Sequence, residues 1–463
     1  GDRVAVSLGN ESAVVIAFFA AMQLGAVWVG VNKILPVPDK RYILAHSGAR
    51  LFIGDATLAE QIAAIRPAAS ALEQVWLIDD PACDGGWQAA LAAAAGLALE
   101  PRPPVDSFTP AAIMYTSGTT GVPKGVVHSQ HNMVVVAAVG STSGGMAPDA
   151  VRGAALPITI TNVMILGPVT AFWNGRPFKI GTSTRIGALL EWLHAERVGQ
   201  IAFVPTMVYD LLQADLDLPA GIALGTGGAP LPDVIRDGFR ERHGFHLITS
   251  YGLTEAPTVV AQSTSDDPAP AGASGRPLPH LDVSIRDADG HARPCGEVGE
   301  VCFGPVREGP WANVYAPPLG YWREPEKTAA LLRGGVVHSG DHGKLDAAGW
   351  LTIADRSSEL ILRGGSNVYP AEIERVLHRH ELVADCAVVG RADLRMGMLT
   401  VACIQPARSG IDLAALQEDL RALCAGHLTR YKIPDQWRFM EILPRNAMGK
   451  VIKPRLRELV EAD

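Results

Sequence analysis

The chain of 463 residues offers little from which to build a metal cluster or a covalent framework. Its six cysteines (Cys83, Cys295, Cys302, Cys386, Cys403 and Cys424) include no Cys-x-x-Cys pair. That excludes zinc-finger spacing and a disulfide scaffold, and it fits a reducing, cytoplasmic location. Charge is also modest. Only 19% of residues are charged, the net charge is −8, and no long basic run occurs. No nucleic-acid partner is therefore expected. No secretory leader pattern opens the chain. Internal repeats are missing, and low complexity is confined to "AALAAAAGLALE", read as a helix leading to the proline-rich link at 101–104.

What is present is apolar. Hydrophobic residues make up 48% of the chain, which is globular rather than disordered, and the length demands two or more domains. The longest apolar run, Ala13 to Val31, has Gln23 as its only polar side chain and reaches the length of a spanning helix. Gly25 interrupts it, and "AVWVGVN" beyond is β-prone. The expected structure is a helix followed by a buried strand, with no membrane span. The chain begins without Met, directly in a strand-like run, so a preceding segment is expected.

Over the first 350 or so residues, runs such as "RVAVSL", "RLFIG", "QVWLID", "AIMYT", "QIAFVP" and "IALGTGG" alternate with helical patterns such as "IGALLEWLHAER" and "LPDVIRDGFRERHG". That alternation is the signature of parallel sheets covered by helices. From about Asp282, short strands and Asp-Gly turns point to a β-rich module. After a boundary near 354–365, the patterns "YPAEIERVLHRH", "VADCAVVGR", "LTVACIQP" and "LAALQEDLRALCAGHL" describe an α+β unit of a separate domain's size.

One polar stretch stands out, "YTSGTTGVPKGVVHS" from Tyr115 to Ser129. Glycines let backbone N–H groups approach an anion, hydroxyls donate further hydrogen bonds, and a lysine supplies a point charge. The stretch follows the buried strand "AAIMY", and "HSQHNMVVVAAV" after it reads as a helix, so the loop is a candidate phosphate cradle. It is not the Walker pattern. Counting from Gly118, Pro123 stands where the second glycine belongs, and Gly125 follows Lys124. The ordinary alternative is a hydrophilic surface loop.

Four other clusters are candidates. In "SYGLTEAP", Tyr251 could stack on a base, Thr254 could donate to a phosphate and Glu255 could hold Mg²⁺ through hard oxygen; the alternative is a helix cap. "GTGGAPLP" ends a strand in glycine-rich backbone fit for a flat ligand. Asp341 and Arg356 flank a hairpin and could clamp ribose hydroxyls, although such a pair is usually a surface pair. Lys450 follows Met448 and Gly449 in a turn, off the basic helix beyond.

Taken in order, "TSGTTGVPKG", "GTGGAPLP", "YGLTE", "SGDHGKLDAAGWLTIADR", "ILRGGSNVYPAEIE" and "LPRNAMGK" resemble the successive motifs of the acyl-adenylating superfamily. It contains acyl-CoA synthetases, adenylation domains of peptide synthetases, and firefly luciferase. The resemblance covers essentially the whole chain. It implies an α/β fold: a large N-terminal domain of stacked α/β sheets with a small β-rich module (1–355), a hinge (356–358), and a mobile α+β C-terminal domain (359–463). It implies that Thr116, Ser117, Gly118, Thr119, Thr120 and Lys124 cradle the β- and γ-phosphates of ATP. Gly228, Ala229 and Pro230 would line adenine, and Tyr251 would stack on it. Thr254 would meet the α-phosphate, Glu255 the Mg²⁺, and Asp341 and Arg356 the ribose. Lys450 would bridge carboxylate and α-phosphate, and Gly364 and Gly365 would flank the pantetheine of coenzyme A.

Three positions depart from the family. The hinge carries Ser358 instead of Asp or Lys. Ile160 lies near where a gating His often sits. Ser339 replaces a common Thr. The activity implied is that of an AMP-forming acid:CoA ligase acting on a carboxylic acid, as a monomer or homodimer. Loading of a carrier protein is the alternative, and no carrier-protein motif follows before Asp463. A luciferase-like oxygenase and a P-loop kinase are remoter readings. The uncharged run "ITITNVMILGPVTAFW" leads us to expect an acid with an uncharged tail.

Overall fold

The computed structural model describes the chain apart from residues 80–85, 98–103, 117–122, 143–149, 215, 229–230, 258, 357–358, 360, 364–365, 394–395, 429, 447–448 and 463. For 355–356, 362, 366–367 and 397 it describes the backbone alone.

Three sheets form the large N-terminal domain. The first has seven strands, ordered Gly320–Tyr321, Lys124–Ser129, Pro110–Thr116, Val27–Gly30, Arg3–Ser7, Leu51–Gly54 and Gln74–Leu77. It is parallel except at its first two pairings, which are antiparallel. The second also has seven strands, and Ala223–Gly227 lies parallel beside Ile248–Tyr251 near one edge. The third is the expected β-rich module, four antiparallel strands that include Val337–Leu345 and Leu351–Arg356.

Alternation along the strands decides which core each side chain joins. In Pro110–Thr116, Ala112 and Met114 enter a core shared by all three sheets, and Ile113 enters a second core on the opposite face. The shared core also takes Val14 and Phe18 from the helix Ser12–Gln23, and Met133 and Val136 from Gln130–Gly140. The long apolar run is therefore a helix of 12 residues, stopped before Gly25 at φ 64°, then the strand Val27–Gly30. Among the described residues, no helix is long and apolar enough to cross a membrane.

One expectation needs correction. The polar stretch does not lead straight into a helix. Lys124–Ser129 is a strand paired antiparallel with Pro110–Thr116, and the helix begins only at Gln130. Val126 and Val127 are β-branched and buried on opposite faces, which favours a strand. Ser129 then caps the helix by accepting from Asn132 N–H at 3.3 Å. The candidate cradle thus connects two strands rather than opening a helix.

The C-terminal domain has its own five-stranded sheet, with a core on each face. Amphipathic helices Pro370–Leu377 and Leu413–His427 cover one face, and Lys453–Glu461 covers the other.

Candidate active site

Two of the polar clusters, those of Gly227 and Tyr251, lie at the carboxyl ends of adjacent parallel strands of the second sheet, the usual place for a ligand in an open α/β sheet. Gly227 ends its strand one position from the next strand's Ser250, its register partner. A Cβ on Gly227 would lie 2.5 Å from Ser250 Oγ and 2.9 Å from Ser250 O. Only glycine fits there. Gly228 follows at φ 80°, where glycine is again favoured.

On the neighbouring strand, Tyr251 is buried, and its hydroxyl donates to Asp341 Oδ2 at 2.7 Å. Asp341 belongs to the β-rich module. Its backbone N–H donates to Ser339 Oγ at 3.0 Å, and Ser339 Oγ–H donates to the Val301 carbonyl at 2.6 Å. The hydroxyl of Ser339 therefore links the Asp341 backbone to the Val301 carbonyl on the neighbouring strand. Asp341 and Arg356 are direct cross-strand partners. The hairpin thus places them side by side.

Thr254 and Glu255 sit in a turn after Tyr251, with no helix to cap. The Glu255 Oε1 atom accepts from the Tyr321 hydroxyl at 2.7 Å. The Lys124 ammonium lies 5.5 Å from the centre of the same Tyr321 ring, a cation–π approach. Thr116 and Lys124 face each other across the ladder, closing the two ends of the Gly/Ser/Thr loop. The structure therefore brings together Thr116, Lys124, Glu255, Tyr251 and Asp341. Ser117, Gly118, Thr119, Thr120, Ala229, Pro230, Gly364, Gly365 and Ser358 lie outside the described residues.

Lys450 is exposed in a tight turn. Asn446 N–H donates to the Lys450 carbonyl at 2.8 Å, Lys450 N–H donates to Asn446 Oδ1 at 3.0 Å, and Gly449 adopts φ 75°. Arg445 and Val451 bridge beneath it. The C-terminal domain reaches the Asp341 strand through a different residue, Tyr369. Its ring centre is 6.2 Å from that of His342, the residue after Asp341. Helix Pro370–Leu377 beyond it packs on Leu351–Arg356.

Sequence reading missed Tyr321, His128 and Asn132. Tyr321 stands in "GYWREP" far from the other motifs. In the sequence His128 and Asn132 look like ordinary helix residues. His128 is buried; its Nε2–H donates to the Thr254 carbonyl at 2.6 Å, and burial pushes its pKa down to about 4.

A second polar cluster spans the Asp341 strand and its neighbour Gly299–Pro305. His338 Nδ1 is 2.8 Å from Glu300 Oε2 and 3.4 Å from Cys302 Sγ. Arg333 Nη2 stands 3.5 Å from that same Nδ1, so a guanidinium holds the approach a cation would need. Burial, then the Glu300 charge, pushes the Cys302 thiol up to about 12. Glu300 Oε1 accepts from Gly340 N–H at 3.1 Å, so the cluster braces the turn that presents Asp341.

A glycine-lined strand end, a Thr-Glu turn and a carboxylate on a neighbouring hairpin, with a second domain alongside, agree with what the comparisons show. The family model described as AMP-binding enzyme matches residues 1–306, and AMP-binding enzyme C-terminal domain matches 372–450. The chain belongs to the AMP-binding enzyme family. It is 33% identical to a feruloyl-CoA synthase of Amycolatopsis, over 99% of this chain and 88% of that protein. It is 32% identical to a long-chain-fatty-acid–CoA ligase of Mycobacterium tuberculosis, over 100% and 89%. The o-succinylbenzoate CoA synthetase of Bacillus subtilis, solved with its acyl-adenylate, superposes with a TM-score of 0.83 at 27% identity, over 99% of this chain and 88% of that one. The protein is an AMP-forming acid:CoA ligase. It activates a carboxylic acid with ATP to acyl-AMP and passes the acyl group to coenzyme A. These relatives favour coenzyme A over a carrier protein as acceptor.

Proposed function

We propose that adenylation occurs between Lys124, Glu255 and the Tyr251–Asp341 pair, on an acid with an uncharged tail. The observation that carries this reading is the convergence of Lys124, Tyr321 and Glu255 beside the glycine-lined strand end. In the first step an acid oxygen bonds to the α-phosphorus of ATP, and the bond to pyrophosphate breaks. Thr116, Lys124 and residues 117–120 hold the β- and γ-phosphates. Thr254 donates its hydroxyl to the α-phosphate, Asp341 and Arg356 hold the ribose, and Gly228, Ala229, Pro230 and Tyr251 sandwich the adenine. Lys450 bridges the carboxylate and the α-phosphate.

The donor set suits Mg²⁺. Glu255 offers a hard carboxylate oxygen, Oε2, while Oε1 accepts the hydrogen bond from the Tyr321 hydroxyl. When bound, the ion neutralises charge on the phosphates. The protein residues orient the reactants and exclude water, which needs no acid–base histidine or cysteine.

In the second step the thiol of coenzyme A bonds to the acyl carbon, and the acyl–phosphate oxygen bond breaks to release AMP. The C-terminal domain turns about the hinge at 356–358 between the steps. The exposed Lys450 and the Tyr369–His342 contact favour assigning the present arrangement to this second step, in which Gly364 and Gly365 are assigned to flank the pantetheine of coenzyme A. The pocket for the acid's tail is drawn from 160–175, 226–231 and 251–260. There Met164 and Ile165 are fully buried, and Ile160 opens the helix where a gating His is usual in the family.

Pyrophosphate and AMP release across a panel of carboxylic acids, with and without coenzyme A, tests the reading and names the substrate. Apolar acids should be used and charged-tail acids refused. Preference for a dicarboxylate would overturn the assignment of the tail pocket. Glu255→Gln should shift the Mg²⁺ titration upward, and an unchanged titration would remove Glu255 from the metal site.

A further inference from the structure

Thr254 and Glu255 stand in a turn that belongs to neither a helix nor a strand. Such a turn has few backbone bonds of its own to fix its side chains. Here it is gripped from two sides by the first sheet. On one side, His128 Nε2 lies 2.6 Å from the Thr254 carbonyl. Asn132, one helical turn beyond the cap, places Nδ2 3.1 Å from His128 Nδ1 and 3.3 Å from the Pro317 carbonyl. A carbonyl can face only a donor, so the amide orientation is set. Nδ1 of His128 accepts from it, the proton resides on Nε2, and that proton goes to Thr254 O. His128 is a neutral imidazole with one tautomer, used as a rigid peg.

On the other side, Tyr321 donates to Glu255 Oε1 at 2.7 Å, with its ring beside the Lys124 ammonium. Tyr321 is anchored in turn, since its N–H donates to Thr328 Oγ1 at 2.8 Å. The two grips come from adjacent strands. Tyr321 pairs with Val126 and Gly320 with Val127, so His128 lies two positions along from Tyr321's partner. The same pair of strands carries Lys124. The phosphate-loop strand and the Thr-Glu turn are thereby locked to one frame.

We propose that His128 and Tyr321 are positioning residues for adenylation, fixing the Thr254 hydroxyl and the Glu255 carboxylate relative to Lys124. The proposal rests on the roles assigned above to Thr254 and Glu255. Neither His128 nor Tyr321 is placed against substrate. Each acts through the turn it holds, where a misplacement of about 1 Å costs up to about 10²-fold in rate.

The test uses the full chain with the best acid from the panel and the variants His128→Leu, His128→Gln and Tyr321→Phe. Four quantities are read: adenylation, thioester formation from supplied acyl-AMP, the melting temperature, and ATP binding by calorimetry in EDTA and in MgCl₂. The His128→Leu variant should lose about 10- to 100-fold in adenylation kcat, with KM for the acid and thioester formation held. Its Gln counterpart retains an amide donor and should recover most of the loss. Tyr321→Phe should raise the half-activating Mg²⁺ concentration by about ten-fold and reduce the tightening of ATP binding that MgCl₂ brings.

Equal loss in both half-reactions that tracks the melting temperature would overturn the proposal, since that is the mark of a structural role. Wild-type adenylation in His128→Leu would overturn it too. The Glu255→Gln control separates the two levels. If Glu255→Gln shifts the Mg²⁺ titration and Tyr321→Phe does not, the positioning role of Tyr321 alone fails. If Glu255→Gln leaves it unmoved, the underlying metal assignment fails.

Discussion

The Tyr251 hydroxyl donates to Asp341 Oδ2 at 2.7 Å, joining the end of a parallel strand to a hairpin of a different sheet. The bond ties the expected adenine face to the expected ribose anchor. Tyr251→Phe keeps the ring and removes the donor. A hydrogen bond to a charged group contributes about 1.5–3 kcal/mol, so KM for ATP should rise about ten-fold or more with the acid's KM unchanged. Steady-state kinetics with each substrate varied will show it, and an unchanged KM for ATP would detach this pair from the nucleotide.

Lys450 and Gly365 should divide the reaction between them. Lys450→Ala should lower adenylation by about 10²- to 10³-fold, the scale for one group that stabilises transition-state charge, and spare thioester formation from supplied acyl-AMP. Gly365→Leu should do the reverse. Single-turnover assays of each half-reaction decide the matter, and losses spread equally over both steps would refute the division.

Gly227 is required by close approach rather than by backbone angle. Gly227→Ala sets a methyl against Ser250 Oγ and Ser250 O. Overpacking of this kind costs about 1–3 kcal/mol. Denaturant unfolding should show the loss. Adding Ser250→Gly should recover only part of it, because the backbone carbonyl stays where it is. Full recovery would mean that the hydroxyl alone sets the limit.

Acid should weaken the fold through two buried histidines. Burial lowers His128 to about 4; burial and then His131 lower His280 to about 4, both from an ordinary 6.5. Each is neutral in the folded chain and takes a proton more readily once unfolded. Their contribution is full above pH 6.5 and is lost as pH falls from there through about 4. The slope is about 1.4 kcal/mol per pH unit for each group inside that window. Unfolding free energy measured at steps between pH 7 and 4 should fall accordingly, and for His128→Gln the slope should be shallower by one group's share. An identical slope in that variant would place the sensitivity elsewhere.

Much of this was readable in advance. Apolar alternation and glycine punctuation located the strands around Tyr115 and Gly227, because each buried strand must show its periodicity locally, whereas the strand Ile248–Tyr251 was not read from the sequence. Order and spacing of the polar motifs gave the family, since phosphate, ribose and acyl chemistry each need particular residue types. The helix wrongly started at His128 shows the limit. "VVHS" suits either structure, and pairing with Pro110–Thr116 decided it.

The sequence by itself determined the class of chemistry and singled out the candidate residues for it, because those residues are grouped in short motifs whose composition is their meaning. The tertiary structure alone decided how those motifs are braced. Tyr321 is 66 residues from Glu255, and His128 is 126 from Thr254. A hydrogen bond across such separations leaves no local trace, because each partner's sequence neighbours record only its own strand or turn. Only the packing of one sheet's edge against the other's loop brings them within reach.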